Sequence, residues 1–202
     1  MDRERLERYT ALLGAWPGLV SGPAGPLVED CLVLLDHLGD ARTVVDVGSG
    51  GGMPGLPLKI ARPDLDVTLL EADQRKAAFL VDACARLGLD VRVVAERAEA
   101  TGRGPLRESF DLGVCRALAA MPVLAELCLP LVRVGGRLLA MKGRVEDAEA
   151  AIAALGGGPP AAAPAPSAAR ARGVVVTVAK LAPTPAAYPR RPGLPNRRPL
   201  GA

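Results

Sequence analysis

The strongest constraint on the fold is a run of β-branched residues that breaks abruptly into glycines. Residues 43–47 read Thr-Val-Val-Asp-Val, and residues 48–55 continue as Gly-Ser-Gly-Gly-Gly-Met-Pro-Gly. The first run predicts a buried strand, the glycines predict a loop, and the proline suits the first turn of a helix. In open α/β sheets such a loop exposes backbone N–H groups at the carboxyl edge of the strands. The segment therefore predicts a nucleotide-type cofactor site.

Strand and helix patterns alternate along most of the chain. Strands are predicted at 44–47, 67–70, 91–95, 110–115, 137–141 and 174–178, and helices at 2–16, 27–38, 55–61, 74–87 and 123–131. Strands that alternate with helices form parallel sheets with right-handed crossovers. We therefore predict an α/β fold with a doubly wound, mostly parallel sheet.

Composition divides the chain into three parts: a helical cap at 1–39, the α/β domain at 40–181 and a tail at 182–202. Within the domain, residues 156–169 are rich in glycine, proline and alanine, and we expect them to form a flexible loop. The tail holds six prolines, four arginines and no acidic residue, so we expect it to be extended and mobile. Because the whole chain carries a net charge of only +3, the remainder is slightly acidic.

Several protein classes are disfavoured by the sequence. The four cysteines are scattered without a CxxC pair, which argues against a metal site or a disulfide framework. The charged N-terminus does not resemble a signal peptide, and the apolar stretch 117–132 is interrupted by prolines and a glutamate. We therefore predict a cytoplasmic, monomeric protein without metal or membrane association.

The glycine loop fits two cofactor templates. Counted from Gly50, it satisfies GxGxxG, the dinucleotide fingerprint; counted from Asp46, it reads acid-x-Gly-x-Gly-x-Gly, which resembles the S-adenosyl-L-methionine (AdoMet) loop of methyltransferases. A dinucleotide turn should begin directly after the strand, which makes Gly48 the first glycine and puts Met53 in the last glycine's place. This spacing favours AdoMet. A nicotinamide-dependent oxidoreductase remains the alternative.

Polar residues follow the later strands at the same predicted edge. Glu71 ends the second strand about 20 residues past the glycines, where an acid accepts hydrogen bonds from ribose hydroxyls. The segment 96–99 follows the third strand, where an adenine would lie. Arg116 follows the fourth strand and Lys142 the fifth, so both cations reach the active edge. A guanidinium there can clamp an anion or a base.

Longer motifs resemble those of one methyltransferase family, RsmG, also called glucose-inhibited division protein B. The matching segments are Val-Asp-Val-Gly-Ser-Gly-Gly-Gly-Met-Pro-Gly-Leu-Pro-Leu at 45–58, Ala-Arg-Pro-Asp at 61–64, Leu-Leu-Glu at 69–71, Phe-Leu at 79–80, Cys-Arg-Ala at 115–117, Met-Lys-Gly at 141–143 and Tyr-Pro-Arg-Arg-Pro-Gly-Leu-Pro at 188–195. The resemblance runs from about residue 31 to residue 200. It implies a class I AdoMet-dependent, Rossmann-like methyltransferase fold.

The resemblance also implies an activity, which is methylation of N7 of one guanine in 16S ribosomal RNA with AdoMet as donor. The predicted catalytic residues are Arg116 and Lys142, which could hold guanine O6 or a flanking phosphate. The predicted cofactor-binding residues are Asp46, Gly48, Gly50, Met53, Glu71, Ala98, Glu99 and Arg116. The predicted RNA-binding residues are Arg190, Arg191, Arg197 and Arg198, whose positive charge would attract ribosomal RNA or the small subunit.

Two departures from the family pattern lie outside the predicted cofactor site. Pro26-Leu27 stands where the family usually has a basic-His pair, ahead of Asp30-Cys31, and Arg172-Gly173 stands where it has Arg-His. These positions are expected to contact the RNA and not the cofactor. They keep open a second alternative, an AdoMet-binding RNA protein without catalytic activity.

Overall fold

A seven-stranded sheet forms the centre of the protein, in a computed structural model that describes residues 1–20 and 22–201. The strands follow the order β3-β2-β1-β4-β5-β7-β6. Neighbours among β1 to β5 are parallel, and β7 runs antiparallel to both β5 and β6. The strands are β1 (Thr43–Val47), β2 (Asp66–Leu70), β3 (Arg92–Val94), β4 (Phe110–Arg116), β5 (Val132–Lys142), β6 (Ala161–Pro164) and β7 (Val174–Ala179). This architecture confirms the predicted mostly parallel α/β sheet.

Helices cover both faces of the sheet and create two apolar cores. One core joins the cap helices and the two helices after β1 and β2, and the other joins those after β4 and β5. Consecutive residues of β1 point to opposite faces, so Val44 lies in the first core and Val45 in the second. The helices are α1 (Arg3–Ala15), α2 (Ala24–Cys31), α3 (Gly55–Ala61), α4 (Gln74–Leu87), α5 (Ala98–Thr101), α6 (Met121–Cys128), α7 (Glu149–Ala154) and α8 (Leu194–Arg197), with 3-10 turns at Leu32–His37 and Leu129–Leu131.

Helix α4 shows how local sequence sets an element's limits. Asp73 caps its N-terminus by accepting hydrogen bonds from the backbone N–H groups of Arg75 and Lys76. Gly88 ends it in the left-handed conformation, with φ of 62°. Both predicted bounds of this helix, and both bounds of α3, agree with the structure.

Two predicted elements differ from the structure by more than three residues at one end. The second helix was expected at 27–38, but α2 begins at Ala24 and gives way to a 3-10 turn at residue 32. Pro26 does not prevent this earlier start, because first-turn N–H groups have no helical partner. Strand β5 starts five residues before the expected 137, since Gly135 and Gly136 lie within it instead of ahead of it.

The segment 156–169 and the tail are more structured than expected. Residues 161–164 pair with β7 as the edge strand β6, a position where proline is tolerated. The tail packs back on the domain: the Arg107 guanidinium donates to the carbonyl oxygens of Thr184 and Tyr188, at 2.5 and 2.8 Å. The sequence predicts flexibility here because the side chains of these residues can bury little apolar surface. In the structure, hydrogen bonds to their backbone groups hold both segments in place. In the described part of the chain, no helix combines the length and apolarity needed to cross a membrane.

Candidate functional site

A cleft of about 460 Å³ opens at the carboxyl ends of β1, β2 and β4. Seven of the eight predicted cofactor-binding residues line it: Gly48, Gly50, Met53, Glu71, Ala98, Glu99 and Arg116. Its volume falls in the range typical of small-ligand pockets. The fold therefore brings these seven predicted residues together from four separate segments of the chain.

The glycine loop is held against the end of β2. The backbone N–H groups of Gly48 and Ser49 both donate to the carbonyl oxygen of Leu70, at 2.8 and 3.1 Å. Gly48 and Gly50 have φ angles of 71° and 57°, a region that side chains disfavour. The loop thus needs glycine at these positions to curl around the mouth of the cleft.

Glu71 connects the loop to the next strand. Its Oε2 accepts a hydrogen bond from Gly50 N–H at 2.8 Å, and its Oε1 accepts one from Asp73 N–H at 2.8 Å. An ionised carboxylate has about four lone-pair sites, so each oxygen can accept a further bond. The carboxylate is thus fixed at the cleft wall with capacity to bind a pair of hydroxyl groups.

Asp46, the eighth predicted cofactor residue, does not line the cleft. Its side chain is fully buried beneath the loop, where Oδ2 accepts a hydrogen bond of 2.9 Å from Gly55 N–H at the start of α3. The Oδ1 atom has no hydrogen-bond partner within the described residues. Burial raises the pKa of Asp46 to about 7. Asp46 therefore does not line the cleft in this structure, and its predicted contact with the cofactor stays a prediction.

The N-terminal cap supports the loop from the opposite side. The Tyr9 hydroxyl of α1 donates a hydrogen bond of 2.7 Å to the Gly51 carbonyl oxygen, and Tyr9 is completely buried. The helix predicted at 2–16 includes Tyr9, but the sequence offered no sign of this contact. The cap is consequently part of the framework of the cleft.

Glu99 forms the far wall of the cleft together with the tail. Its Oε1 accepts hydrogen bonds from Gly193 N–H at 2.9 Å and from the Arg97 guanidinium at 3.2 Å. Burial alone would raise the pKa of Glu99, but these two partners hold it below its ordinary value. Asn196, three residues further along the tail, also lines the cleft. Sequence reasoning placed Glu99 here and missed the tail's contribution.

Arg116 is oriented by a buried acid from the cap. Its Nε donates to Asp30 Oδ2 at 3.2 Å, and Asp30 is fully buried. Asp30 also accepts from Arg170 Nε at 2.9 Å and from the Ser167 hydroxyl at 2.5 Å. Burial would raise the pKa of Asp30, but the bonds from Arg170, Ser167 and Arg116 keep it lowered. No motif indicated this cluster, since its members lie up to 140 positions apart.

A second cavity, of about 490 Å³, adjoins the first. Arg116 and Ala117 line both cavities, while Lys142, Arg144 and Arg170 line only the second. Lys142 therefore does not face the first cleft. Its ammonium group forms an ion pair of 2.9 Å with Glu146 and donates to the Ala119 carbonyl oxygen at 2.8 Å. The Nη2 atom of Arg170 is buried without a hydrogen-bond partner in the described residues.

The four tail arginines fall into two groups. Arg190 forms an ion pair of 2.6 Å with the fully buried Glu126 of α6, and both Glu126 oxygens accept bonds from its guanidinium. Arg191, Arg197 and Arg198 are exposed. The structure therefore places the Arg190 guanidinium in an ion pair with the domain and leaves the other three side chains exposed, and RNA binding by all four stays a prediction. Among the described residues, no three His, Cys, Asp or Glu side chains form a group that could hold a metal ion.

Solved structures with similar folds include methyltransferases. The S-adenosylmethionine-dependent methyltransferase SibL, in its apo form, superposes with a TM-score of 0.64 and 17% identity, covering 89% of this chain and 70% of SibL. A methyltransferase from Pyrococcus furiosus superposes with a TM-score of 0.58 and 14% identity, covering 89% of this chain and 98% of the other. At such identities the likeness concerns the fold alone.

Sequence comparison is more specific. The family model described as GidB, rRNA small subunit methyltransferase G, matches residues 26–154. Ribosomal RNA small subunit methyltransferase G of Roseiflexus castenholzii is 41% identical, covering 98% of this chain and 91% of the relative. The protein of the same name from Moorella thermoacetica is 47% identical, covering 84% and 74%. With this match over most of its length, the chain belongs to the rRNA small subunit methyltransferase G (GidB) family.

Proposed function

We propose that this protein transfers a methyl group from AdoMet to N7 of a guanine in 16S ribosomal RNA, in the bacterial cytoplasm. Family membership supports a ribosomal RNA methyltransferase. The observation that carries the proposal is that Arg116 stands on the wall shared by two adjoining cavities. One cavity has the groups that suit a nucleoside donor, and the other is lined by cations that suit an RNA acceptor.

The residues of the first cleft fit AdoMet. Glu71 has free lone pairs for the two ribose hydroxyls, and both of its oxygens are already oriented by backbone N–H groups. The left-handed glycines keep the loop free of side chains where the ligand passes. Ala98 and Glu99 lie at the end expected for the adenine. The loop glycines, the fixed carboxylate of Glu71 and the wall formed by Ala98 and Glu99 together suit a nucleoside.

The second cavity supplies the groups that an acceptor guanine requires. We assign to Arg116 and Lys142 the binding of guanine O6 or of a flanking phosphate, because Arg116 spans both cavities and Lys142 lines the second. Asp30 holds Arg116 by its Nε, which leaves the terminal guanidinium nitrogens to donate towards the substrate. Arg116 and Lys142 thus position the base, and Asp30 positions Arg116.

The chemistry needs no general base. When bound, AdoMet would supply an electrophilic methyl group to the N7 lone pair of guanine, with the AdoMet sulfur as the leaving group. N7 carries no proton to remove, so the work of the protein is alignment, which contributes roughly 7–11 kcal/mol in favourable intramolecular reactions. An unstacked guanine is the expected acceptor, because A-form helices bury N7 in a deep groove.

The residues that line the two cavities favour the methyltransferase over both alternatives. A nicotinamide oxidoreductase requires a proton donor, but no His or Tyr is among the described residues that line either cavity. A non-catalytic AdoMet-binding RNA protein would also use cations to bind RNA, but it would not require that Arg116 lines both the cofactor cleft and the cationic cavity. Both observations favour the methyltransferase.

The test uses small ribosomal subunits from cells that lack this enzyme. The protein is incubated with the subunits and labelled AdoMet, and 16S RNA is then digested and mapped for 7-methylguanine by mass spectrometry. We expect label at a single guanine. Binding of AdoMet without any label in 16S RNA would support the non-catalytic alternative, and binding of NAD without AdoMet would support the oxidoreductase.

A further inference from the structure

The C-terminal tail contributes a wall to the cofactor cleft that neither composition nor motif indicated. The tail was expected to be a mobile basic segment, yet Asn196 lines the cleft together with Glu71 and Glu99. Asn196 is the only asparagine in the chain. Its carboxamide takes part in no hydrogen bond with the described residues, although neighbouring backbone groups are bonded.

Two anchors fix the tail at this place. Gly193 N–H donates to the buried carboxylate of Glu99 at 2.9 Å, and Arg190 forms its bidentate ion pair with the buried Glu126 of α6. Both anchors precede Asn196 by six residues or fewer. Ion pairs to a buried carboxylate are costly to break, because separation leaves the charge without compensation. Asn196 is therefore held at the cleft wall by the folded domain and not by the ligand.

The chemistry of this wall matches the edge of an adenine. A carboxamide donates and accepts side by side, and it pairs with the amino group and a neighbouring ring nitrogen of adenine in two hydrogen bonds. Glu99 complements it, because an ionised carboxylate only accepts, and its Oε2 accepts no bond from the described residues. In a base with a carbonyl oxygen in place of the amino group, that oxygen would face the carboxylate, and two hydrogen-bond acceptors repel each other.

We propose that Asn196 binds the adenine edge of the methyl donor and, with Glu99, selects adenine over other purines. The inference rests on the proposed function, since it concerns the same cleft. It gives the tail a second role besides contact with RNA: the anchored segment completes the cofactor site. Cofactor affinity, and not only RNA affinity, then depends on a residue of the tail.

The experiment measures the affinity of the full chain for two ligands by titration calorimetry. One ligand is S-adenosylhomocysteine, and the other is S-inosylhomocysteine, which differs by an oxygen in place of the amino group. The variant is Asn196→Ala, which removes an exposed side chain and is expected to fold. The matched control is Gln74→Ala, the only glutamine, whose amide donates to the Ala95 carbonyl oxygen outside the cleft.

We expect Asn196→Ala to weaken S-adenosylhomocysteine about tenfold and to reduce the preference over the inosine form, while Gln74→Ala changes neither. In methyl transfer, KM for AdoMet should rise with little change in kcat. Unchanged affinity and unchanged preference in Asn196→Ala would overturn the inference alone. If the folded wild-type protein bound no S-adenosylhomocysteine, the proposed function would fail and the inference with it.

Discussion

The hydroxyl group of Tyr9 donates a hydrogen bond of 2.7 Å to the carbonyl oxygen of Gly51, which joins the N-terminal cap to the middle of the glycine loop. Tyr9 lies in the core that the cap shares with the sheet. A change in the cap can therefore reach the cofactor cleft through one buried contact.

We expect Tyr9→Phe to destabilise the protein and to weaken cofactor binding. The Gly51 oxygen would remain buried without a donor, which costs about 1–3 kcal/mol of unfolding free energy. Urea denaturation measures this loss, and calorimetry with S-adenosylhomocysteine measures the affinity, which should fall several-fold. Tyr188→Phe is the control, because the Tyr188 hydroxyl forms no hydrogen bond with the described residues. Equal effects of the two substitutions would contradict a special role for the Tyr9 contact.

A second prediction concerns Arg116. Replacing it with alanine should lower kcat for methyl transfer by about a hundredfold, which corresponds to about 2.7 kcal/mol. The protein should still fold, because Asp30 keeps its bonds from Arg170 and Ser167. Single-turnover transfer of labelled methyl groups measures the change.

The control for Arg116→Ala is Arg62→Ala, which removes a guanidinium that is paired with Asp64 at the surface and lines neither cavity. Its kcat should stay within twofold of the wild type. Near-normal transfer by Arg116→Ala would show that the shared wall of the two cavities does not position the acceptor.

A third prediction follows from the raised pKa of Asp46. Burial places this pKa at about 7, against 3.8 for the free side chain. Between these values the unfolded chain loses the proton and the folded chain keeps it, so the carboxyl group's contribution to stability falls as the pH rises from about 4 to 7. The loss reaches roughly 4 kcal/mol at 1.36 kcal/mol per pKa unit.

Asp46→Asn should abolish this part of the pH dependence. An asparagine oxygen can still accept from Gly55 N–H, so the variant should gain stability relative to wild type as the pH rises from 4 to 7. Urea unfolding at several pH values gives the difference. Asp64→Asn is the control, because ion pairing with Arg62 lowers the pKa of Asp64 to about 2, below this range. A constant difference between Asp46→Asn and wild type would exclude a buried protonated carboxyl group.

The part of the site that the sequence predicted is the part built from contiguous motifs. The glycine loop and Glu71 lie within 24 residues of each other, and their spacing alone places them at one sheet edge. Asp30, Arg170 and Asn196 come from the cap, from the segment between β6 and β7, and from the tail. Their roles depend on how distant segments pack, and no periodicity encodes that.

The same reasoning explains why the sequence did not indicate the ion pair of Arg190 with Glu126. A run of arginines and prolines without acids predicts a solvated basic segment, and that holds for Arg191, Arg197 and Arg198. Glu126 lies on α6, a mostly apolar helix, as a fully buried charge. Its need for a partner could have suggested an ion pair, since buried charges are nearly always compensated. The sequence does not reveal which of the chain's arginines supplies it.

The last prediction separates the exposed tail arginines from the anchor. The triple variant Arg191→Ala, Arg197→Ala and Arg198→Ala should bind 16S RNA more weakly and keep its affinity for S-adenosylhomocysteine. If each arginine neutralises one phosphate, the slope of log affinity against log salt should become shallower by about 2 to 3. Filter binding across a range of salt concentrations measures this slope.

The control for this triple variant removes the same charge elsewhere, with Arg62, Arg86 and Arg133 changed to alanine. These three side chains are exposed and line neither cavity. Their loss should leave the slope closer to that of the wild type, because a general reduction of charge acts only at long range, where salt screens it. If both triple variants flattened the slope equally, the tail would be no more than one part of a diffuse positive charge, and its position beside the cofactor cleft would not matter for RNA binding.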